Sequence, residues 1–197
     1  MSIPAWLNRA CQGLAFWVGY NHSKYPHHPL SEGAIAAEAR NLIMANLSPP
    51  KYLMAEVYYT RLWRVKRSSR IADHTRADLV VVKSKHPSFS GVSCIGKNVD
   101  AVLEIKRWGV SAKLIEEDIN RLYNALMHLP NTAKGYLMIV AQIGRPKKYM
   151  KSDGTADRRE FTTDSGKKYR VRRVCRAEGS TKGKSRHYVC VLEALRS

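Results

Sequence analysis

The sequence has few acidic residues and no long apolar run. Only 16 Asp and Glu stand against 34 Lys and Arg, which gives a net charge of +18 and an isoelectric point near 10.0. Such an excess typically neutralises phosphates, so nucleic acid is the favoured partner; a generally basic surface, or affinity for an anionic membrane, is the alternative. Because no stretch approaches the roughly 18 apolar residues of a spanning helix, we expect no membrane segment.

Cysteines are also few and scattered. Cys11, Cys94, Cys175 and Cys190 form no CxxC pair and no Cys/His knuckle, which argues against a structural zinc site and fits a reducing cytoplasm. The N-terminus lacks a basic segment followed by a clean apolar stretch, so we expect no signal peptide. An apolar content of 44% is typical of a folded globular protein.

Hydrophobic periodicity predicts an ordered series of elements. These are a helix over 3–20, a loop, a helix over 31–47, strands over 52–66, 71–82 and 101–107, a helix over 111–129, and a strand over 135–143. After the N-terminal helix, the order is therefore helix, three strands, helix, strand. The last strand is apolar throughout, which indicates a central or parallel position in a sheet.

The last quarter of the chain differs in composition. Residues 145–197 hold 16 Lys and Arg against six Asp and Glu. Alternation over 168–177 and 186–195 predicts a β-hairpin with a turn over 179–185. Arg170 and Arg172 share one strand face, and Arg173 points the other way unless a bulge intervenes. The ribbon would follow a phosphate backbone or, alternatively, extend the sheet edge with charges that prevent aggregation.

Two of the predicted strands carry acids where apolar residues are expected. Asp78 opens the run Leu79–Val82, and Glu104 and Lys106 share one face of the next strand, about 7 Å apart. Charges on a buried strand are costly unless they are paired or bound to metal. Two carboxylates and a backbone carbonyl suit Mg²⁺ or Mn²⁺, and the lysine can orient or activate a water. This set of groups is suited to hydrolysis of a phosphodiester.

The segments Arg76-Ala77-Asp78 and Val102-Leu103-Glu104-Ile105-Lys106 resemble the PD-(D/E)XK nuclease superfamily, which includes restriction endonucleases and Holliday junction resolvases. Ala77 stands where the family motif has proline. The resemblance covers about residues 31–142 and implies an α/β, restriction-endonuclease-like core, a mixed sheet flanked by helices in the order α-β-β-β-α-β. The expected organisation is an N-terminal helix and loop over 1–30, a nuclease core over 31–144, and a basic C-terminal β-hairpin over 145–197 in the same domain.

The resemblance also implies roles for individual residues. Asp78, Glu104 and the Ile105 carbonyl would bind Mg²⁺ or Mn²⁺, and Lys106 would assist the attacking water. The first core helix of the family often supplies a further glutamate, and Glu38 is at the matching position. In the alternative reading, Glu38 is a boundary residue paired with Arg40 or solvent. Glu56, near the start of the first strand, competes for the third acidic role.

Basic residues around these elements are candidates for contacts with nucleic acid. They are Arg76, Lys83, Lys85, Lys97, Arg107, Arg170, Arg172 and Arg173, although a merely solvated role competes for the loop lysines. The sequence thus predicts a Mg²⁺-dependent endonuclease, with DNA favoured over RNA as the substrate. A non-catalytic nucleic-acid-binding module on the same fold is the alternative. A small enzyme that cuts both strands commonly works as a homodimer.

Overall fold

A single sheet organises the computed structural model, which describes residues 3–62, 75–83, 96–178 and 186–196. Its strands are β1 (Tyr52–Tyr58), β2 (Arg76–Val82), β3 (Val99–Arg107), β4 (Lys134–Ala141), β5 (Glu160–Thr162), β6 (Lys168–Glu178) and β7 (Arg186–Ala194). The described residues also form helices α1 (Ala5–Lys24), α2 (Glu32–Asn46), α3 (Tyr59–Leu62) and α4 (Ala112–Leu126). The fold is mixed α/β, which confirms this part of the prediction.

The strands lie in the order β1-β2-β3-β4-β7-β6-β5. Only β3 and β4 pair in parallel, and the other neighbours are antiparallel. A parallel pair needs a crossover connection, and α4 supplies it. From α2 to β4 the chain runs α2, β1, α3, β2, β3, α4, β4, which is the predicted order of helices and strands with α3 added. The predicted C-terminal hairpin strands, β6 and β7, continue this sheet beyond β4.

Two hydrophobic cores cover the two faces of the sheet. The first core lies under α4, where Ile119 and Leu122 meet Val80, Val102 and Leu137. The second core lies under α1 and α2 and includes Leu14, Ile35, Leu103, Ile105 and Val191. Because side chains alternate along a strand, even-numbered residues near Val80 and Val102 face α4 and the odd-numbered ones face α1 and α2.

Serine side chains fix the starts of the two helices that flank β3. The Ser31 hydroxyl accepts from the Ala34 amide at 3.1 Å, and the Ser111 hydroxyl accepts from the Leu114 amide at 3.4 Å. Each N-cap satisfies a backbone N–H that the first helical turn leaves without an intrahelical partner. These caps set where α2 and α4 begin relative to the end of β3.

The structure differs from the sequence prediction at three places. The first strand ends at Tyr58 and the chain turns into α3, in which Tyr59 and Leu62 are both buried at a helical spacing. The short edge strand β5 was not predicted, since three residues are too few to show a period. A bulge interrupts β6 between Val171 and Arg173.

Some predictions fall outside the described residues. Lys85, Cys94 and the turn over 179–185 are among them. Cys11, Cys175 and Cys190 are buried, free thiols. Within the described ranges, no helix combines the length and apolar character needed to cross a membrane.

Candidate active site

The start of β2 and the end of β3 bring Asp78 and Glu104 together. Leu79 pairs with Leu103, so Asp78 and Glu104 are opposite one another one step further along the antiparallel register. At this position a side chain accepts the hydrogen bond between the two strands: the Ile105 amide donates to Asp78 Oδ2 at 2.6 Å. Asp78, Glu104 and Lys106 all lie on the sheet face that α4 covers, because they are in phase with Val80 and Val102.

The Ile105 carbonyl lies on the Asp78 side of β3. In a strand the N–H and C=O of one residue point towards the same neighbouring strand. The Ile105 amide points to Asp78, so its carbonyl oxygen points to the β2 side as well. Two carboxylates and one carbonyl therefore border the same gap between β2 and β3.

Glu104 is only 2% exposed, and Tyr59 and Arg121 both contact its carboxylate. The Tyr59 hydroxyl donates to Glu104 Oε1 at 2.5 Å, and Arg121 Nε lies 3.6 Å from the same oxygen. Burial, and then the negative charge of Asp78, raise the pKa of Glu104 to about 7, although Tyr59, Arg121 and Lys106 act in the opposite direction. Within the described ranges, the cations Arg121 and Lys106 do not offset the effect of burial on Glu104.

The pKa of Asp78 is raised as well. Burial raises its pKa above the ordinary value, and the Ile105 amide and Lys106 only partly oppose the shift. The negative charges of Glu56 and Glu32 raise the pKa of Asp78 further. Two facing carboxylates whose pKa values are both raised form a pair that a cation would stabilise.

Lys106 is held between two carboxylates from different helices. Its Nζ lies 2.9 Å from Glu32 Oε1 and 3.7 Å from Asp118 Oδ2. Asp118 is fully buried and also forms an ion pair with Arg121, one turn later on α4. The carboxylate of Asp118 is therefore buried against Lys106. The lysine is thus fixed beside Glu104 rather than extended into solvent.

The glutamate that α2 brings to this cluster is Glu32, not the predicted Glu38. Glu32 Oε2 also accepts from the Arg107 amide at 3.3 Å. Glu38 lies six residues further along α2, about 9 Å along the helix axis. Within the described residues, no hydrogen bond or ion pair joins Glu38 to Asp78, Glu104 or Lys106.

Glu56, the competing third acid, lies on the other side of Asp78. Ala55 pairs with Leu79 and Val57 with Ala77, which puts Glu56 opposite Asp78 across β1 and β2. Its φ of 52° is in the left-handed region, which is uncommon for a residue other than glycine and costs on the order of 1 kcal/mol or more. The Glu56 side chain lies 3.8 Å from Arg76.

Among the predicted phosphate-binding residues, Arg76 and Arg107 are near the carboxylate pair. Arg76 donates to the Tyr58 hydroxyl at 2.5 Å and lies over the Tyr58 ring, 4.4 Å from its centroid. Arg107 Nη1 donates to the Leu30 carbonyl at 3.3 Å. Arg107 is thus oriented by a neutral carbonyl, whereas Arg76 also lies 3.8 Å from the Glu56 carboxylate.

Lys83 and Lys97 are at the other end of the strands. Lys83 follows β2, five residues or about 17 Å from Asp78, and its Nζ lies 3.0 Å from Thr132 Oγ1 and 3.9 Å from Asp100. Lys97 is exposed in a short turn that precedes β3. Neither lysine is part of the carboxylate site.

The three arginines of β6 differ in their partners. Arg170 lies 3.6 Å from Glu160, whereas Arg172, at the bulge, forms an ion pair with Glu193 and its side chain is 14% exposed. Arg173 is exposed. Because Arg170 faces Glu193 and Arg173 faces Val191, the bulge puts Arg170 and Arg173 on one face of the sheet.

The residues at the gap fit a hard divalent cation in their chemistry. Asp78, Glu104 and the Ile105 carbonyl offer only oxygen donors, and burial keeps the pKa of both carboxylates raised despite the cations beside them. Across the part of the chain that the structure describes, no group of three or more His, Cys, Asp or Glu side chains is arranged to hold a metal ion. A cation here would therefore have two side-chain ligands and complete its shell with carbonyl and water oxygens.

Sequence reasoning did not identify Tyr59, Asp118, Arg121 or Glu32 as members of the cluster. Asp118 had a usable signal, because it falls between Ile115 and Leu122 at the spacing of the buried face of α4. Tyr59 had no such signal, since its contact with Glu104 depends on the turn into α3.

Comparison of the chain with protein-family models, curated proteins and solved structures finds no match.

Proposed function

We propose that this protein is a divalent-metal-dependent nuclease that hydrolyses phosphodiester bonds, most readily those of DNA. The observation that carries the proposal is the facing pair Asp78 and Glu104. The pKa of Glu104 remains near 7 even with Tyr59, Arg121 and Lys106 beside it. A divalent cation supplies the missing positive charge.

Each residue of the cluster has a role in this proposal. Asp78, Glu104 and the Ile105 carbonyl hold Mg²⁺ or Mn²⁺, which when bound acts as a Lewis acid and lowers the pKa of a coordinated water. Lys106, whose ammonium is fixed by Glu32 and Asp118, orients the attacking water. Tyr59 and Arg121 keep the Glu104 carboxylate in one orientation. Arg76 and Arg107 contact the phosphate.

The topology supports a restriction-endonuclease-like core. The chain order α2, β1, β2, β3, α4, β4 has the acids at the start of β2 and the end of β3, and β3 and β4 are parallel through the α4 crossover. The net charge of +18 supports a polyanionic substrate. Fold and charge are thus consistent with the reaction that the carboxylate pair suggests.

A cleavage assay tests the proposal. The protein is incubated in Mg²⁺ with supercoiled, linear duplex, single-stranded and junction DNA, with and without excess chelator. We expect phosphodiester cleavage of at least one DNA form, and its complete loss in chelator. Cleavage that persists in chelator, or none on any substrate with Mg²⁺ or Mn²⁺, overturns the assignment.

A non-catalytic nucleic-acid-binding module is the second candidate, and the internal ion pairs favour it. Lys106 already pairs with Glu32 and Asp118, and Arg121 with Glu104, as in a structural network of buried charges. In that case the protein binds DNA, and the cleavage assay shows no product under any metal condition.

Glu32→Gln is expected to lower the cleavage rate about 10-fold or more, and Glu38→Gln less than about twofold. Glu32 fixes the Lys106 ammonium, and loss of a residue that orients a site ligand typically costs 10- to 100-fold in activity. Glu38 is the matched control on the same helix. Single-turnover rates at saturating metal compare them, and the opposite ranking would return the third acidic role to Glu38.

Arg173→Gln is expected to flatten the slope of log K against log salt by about 0.9 on duplex DNA, the effect of one lost phosphate contact. Arg172→Gln should change the slope least, because Arg172 is paired with Glu193. Strict alternation would separate Arg173 from Arg170, but the bulge moves Arg173 to the face of Arg170. Equal slopes for both variants and the unaltered protein would mean that neither Arg172 nor Arg173 contacts phosphate.

A further inference from the structure

The end of α1 and the turn that follows it carry exposed aromatic rings beside cationic groups. Tyr20 is 63% and Tyr25 is 60% exposed. Lys24 lies between them in sequence, with Nζ 5.8 Å from the centroid of the Tyr20 ring. Residues 24–29 are all exposed. Aromatic faces combined with positive charge are the features with which proteins bind single-stranded nucleic acid.

This segment is anchored at both ends. Near the start, the ring of His22 lies 5.0 Å from the ring of His187, which is fully buried and bonded through Nδ1 to the Gln142 carbonyl at 2.6 Å. At the far end, the Leu30 amide donates to Gln142 Oε1 at 2.8 Å. A surface already held in place loses less conformational freedom when it binds a ligand.

The same segment leads directly into the candidate active site. The Leu30 carbonyl accepts from Arg107, and Glu32, two residues later, holds Lys106. From Tyr25 to Leu30 the chain can span at most about 18 Å. A turn in which the His28 amide donates to the Tyr25 carbonyl at 3.1 Å makes the distance shorter still. A strand bound at the carboxylate pair would therefore reach Tyr25 within a few nucleotides.

We propose that Tyr20 and Tyr25 form a stacking platform for unpaired bases of a nucleic acid strand. A phosphodiester of the same strand lies at the Asp78–Glu104 pair, and this placement rests on the proposed function. The substrate class is then nucleic acid with a single-stranded segment beside the cleaved bond. Bases within an intact duplex are stacked on one another and offer no free face to a tyrosine. A second copy of the chain is a poor occupant of this surface. The two Lys24 side chains would repel each other, as would two chains that each carry a net charge of +18.

Binding measured in excess chelator tests the platform without cleavage. The probe is a fluorescein-labelled oligothymidylate of about 16 nucleotides, the upper end of site sizes for small single-strand-binding folds, and a duplex of equal length is the comparison. The variants are the doubles Tyr20→Ala/Tyr25→Ala and Tyr20→Phe/Tyr25→Phe. Tyr52→Ala is the matched control, since Tyr52 is 40% exposed and pairs with Val82, at the end of β2 remote from Asp78.

We expect the alanine double variant to bind the single strand about 10-fold or more weakly, and the duplex within about twofold of the unaltered protein. The phenylalanine double variant should keep its affinity, because it keeps both ring faces, and Tyr52→Ala should change neither affinity. Equal losses on single strand and duplex, no loss, or no binding of the single strand by the unaltered protein overturn the proposal. Binding that follows the expected pattern without cleavage in Mg²⁺ would refute the nuclease assignment and leave the platform standing.

Discussion

Asp78→Asn and Glu104→Gln are each expected to slow cleavage at least about 100-fold, equivalent to roughly 2.7 kcal/mol of activation free energy. Both substitutions keep the side-chain shape and an oxygen that can accept from the Ile105 amide or the Tyr59 hydroxyl, so the fold should be retained. What they remove is the negative charge that holds the cation. Lys106→Ala should lower cleavage similarly, because its ammonium is the cation fixed beside Glu104.

Nucleic-acid binding by these acid variants should remain within a few-fold of the unaltered protein, or tighten, since loss of a carboxylate relieves repulsion with phosphate. Glu178→Gln, which removes an exposed acid at the end of β6, is the control and should cleave normally. Single-turnover cleavage and fluorescence anisotropy on the same DNA separate the two effects. Near-normal cleavage by Glu104→Gln would contradict the assignment of the active site.

Glu104→Gln should also stabilise the protein at alkaline pH when no divalent metal is present. The folded pKa of Glu104 is about 7 against an ordinary 4.5, so the folded state binds the extra proton between these values. The contribution of Glu104 to stability therefore falls as pH rises from about 4.5 through 7. Above that window the buried charge costs about 3 kcal/mol, which the neutral glutamine avoids.

Denaturant unfolding in chelator at pH 8.5 and pH 4.5 measures this difference. The variant should be more stable at pH 8.5 by up to about 3 kcal/mol and equal to the unaltered protein at pH 4.5. Glu193→Gln is the matched buried control and should be destabilising at pH 8.5, because Glu193 pairs with Arg172 and Lys134. If Glu104→Gln is instead destabilising at pH 8.5, the pair is a satisfied structural network and not a site that lacks a cation.

The sequence was sufficient to predict most of the elements around the site. Periodicity indicated α2, β3 and α4, and a continuous apolar run indicated β4. The placement of Asp78 and Glu104 on adjacent strands followed from their positions next to apolar runs. These features depend on residues that are close together in the sequence, so local patterns in a single sequence were enough to predict them.

What could not be predicted depends on packing across the sheet. Whether Glu32 or Glu38 reaches β3 depends on where α2 lies along the strand, and no local pattern sets that offset. Tyr59 contacts Glu104 only because β1 ends early and the chain enters α3. The bulge that moves Arg173 is likewise invisible in a run of alternating residues. Long-range contacts, not local propensities, decide these positions.

Direct titration of Mn²⁺ into the metal-free protein, followed by calorimetry at pH 8, tests the central claim that Asp78 and Glu104 hold a divalent cation. Asp78→Asn and Glu104→Gln are titrated alongside, with Glu178→Gln as the control. The account predicts saturable binding to the unaltered protein and the control, weakened at least about 10-fold in both acid variants. Absence of binding, or equal affinity in all four proteins, would contradict it.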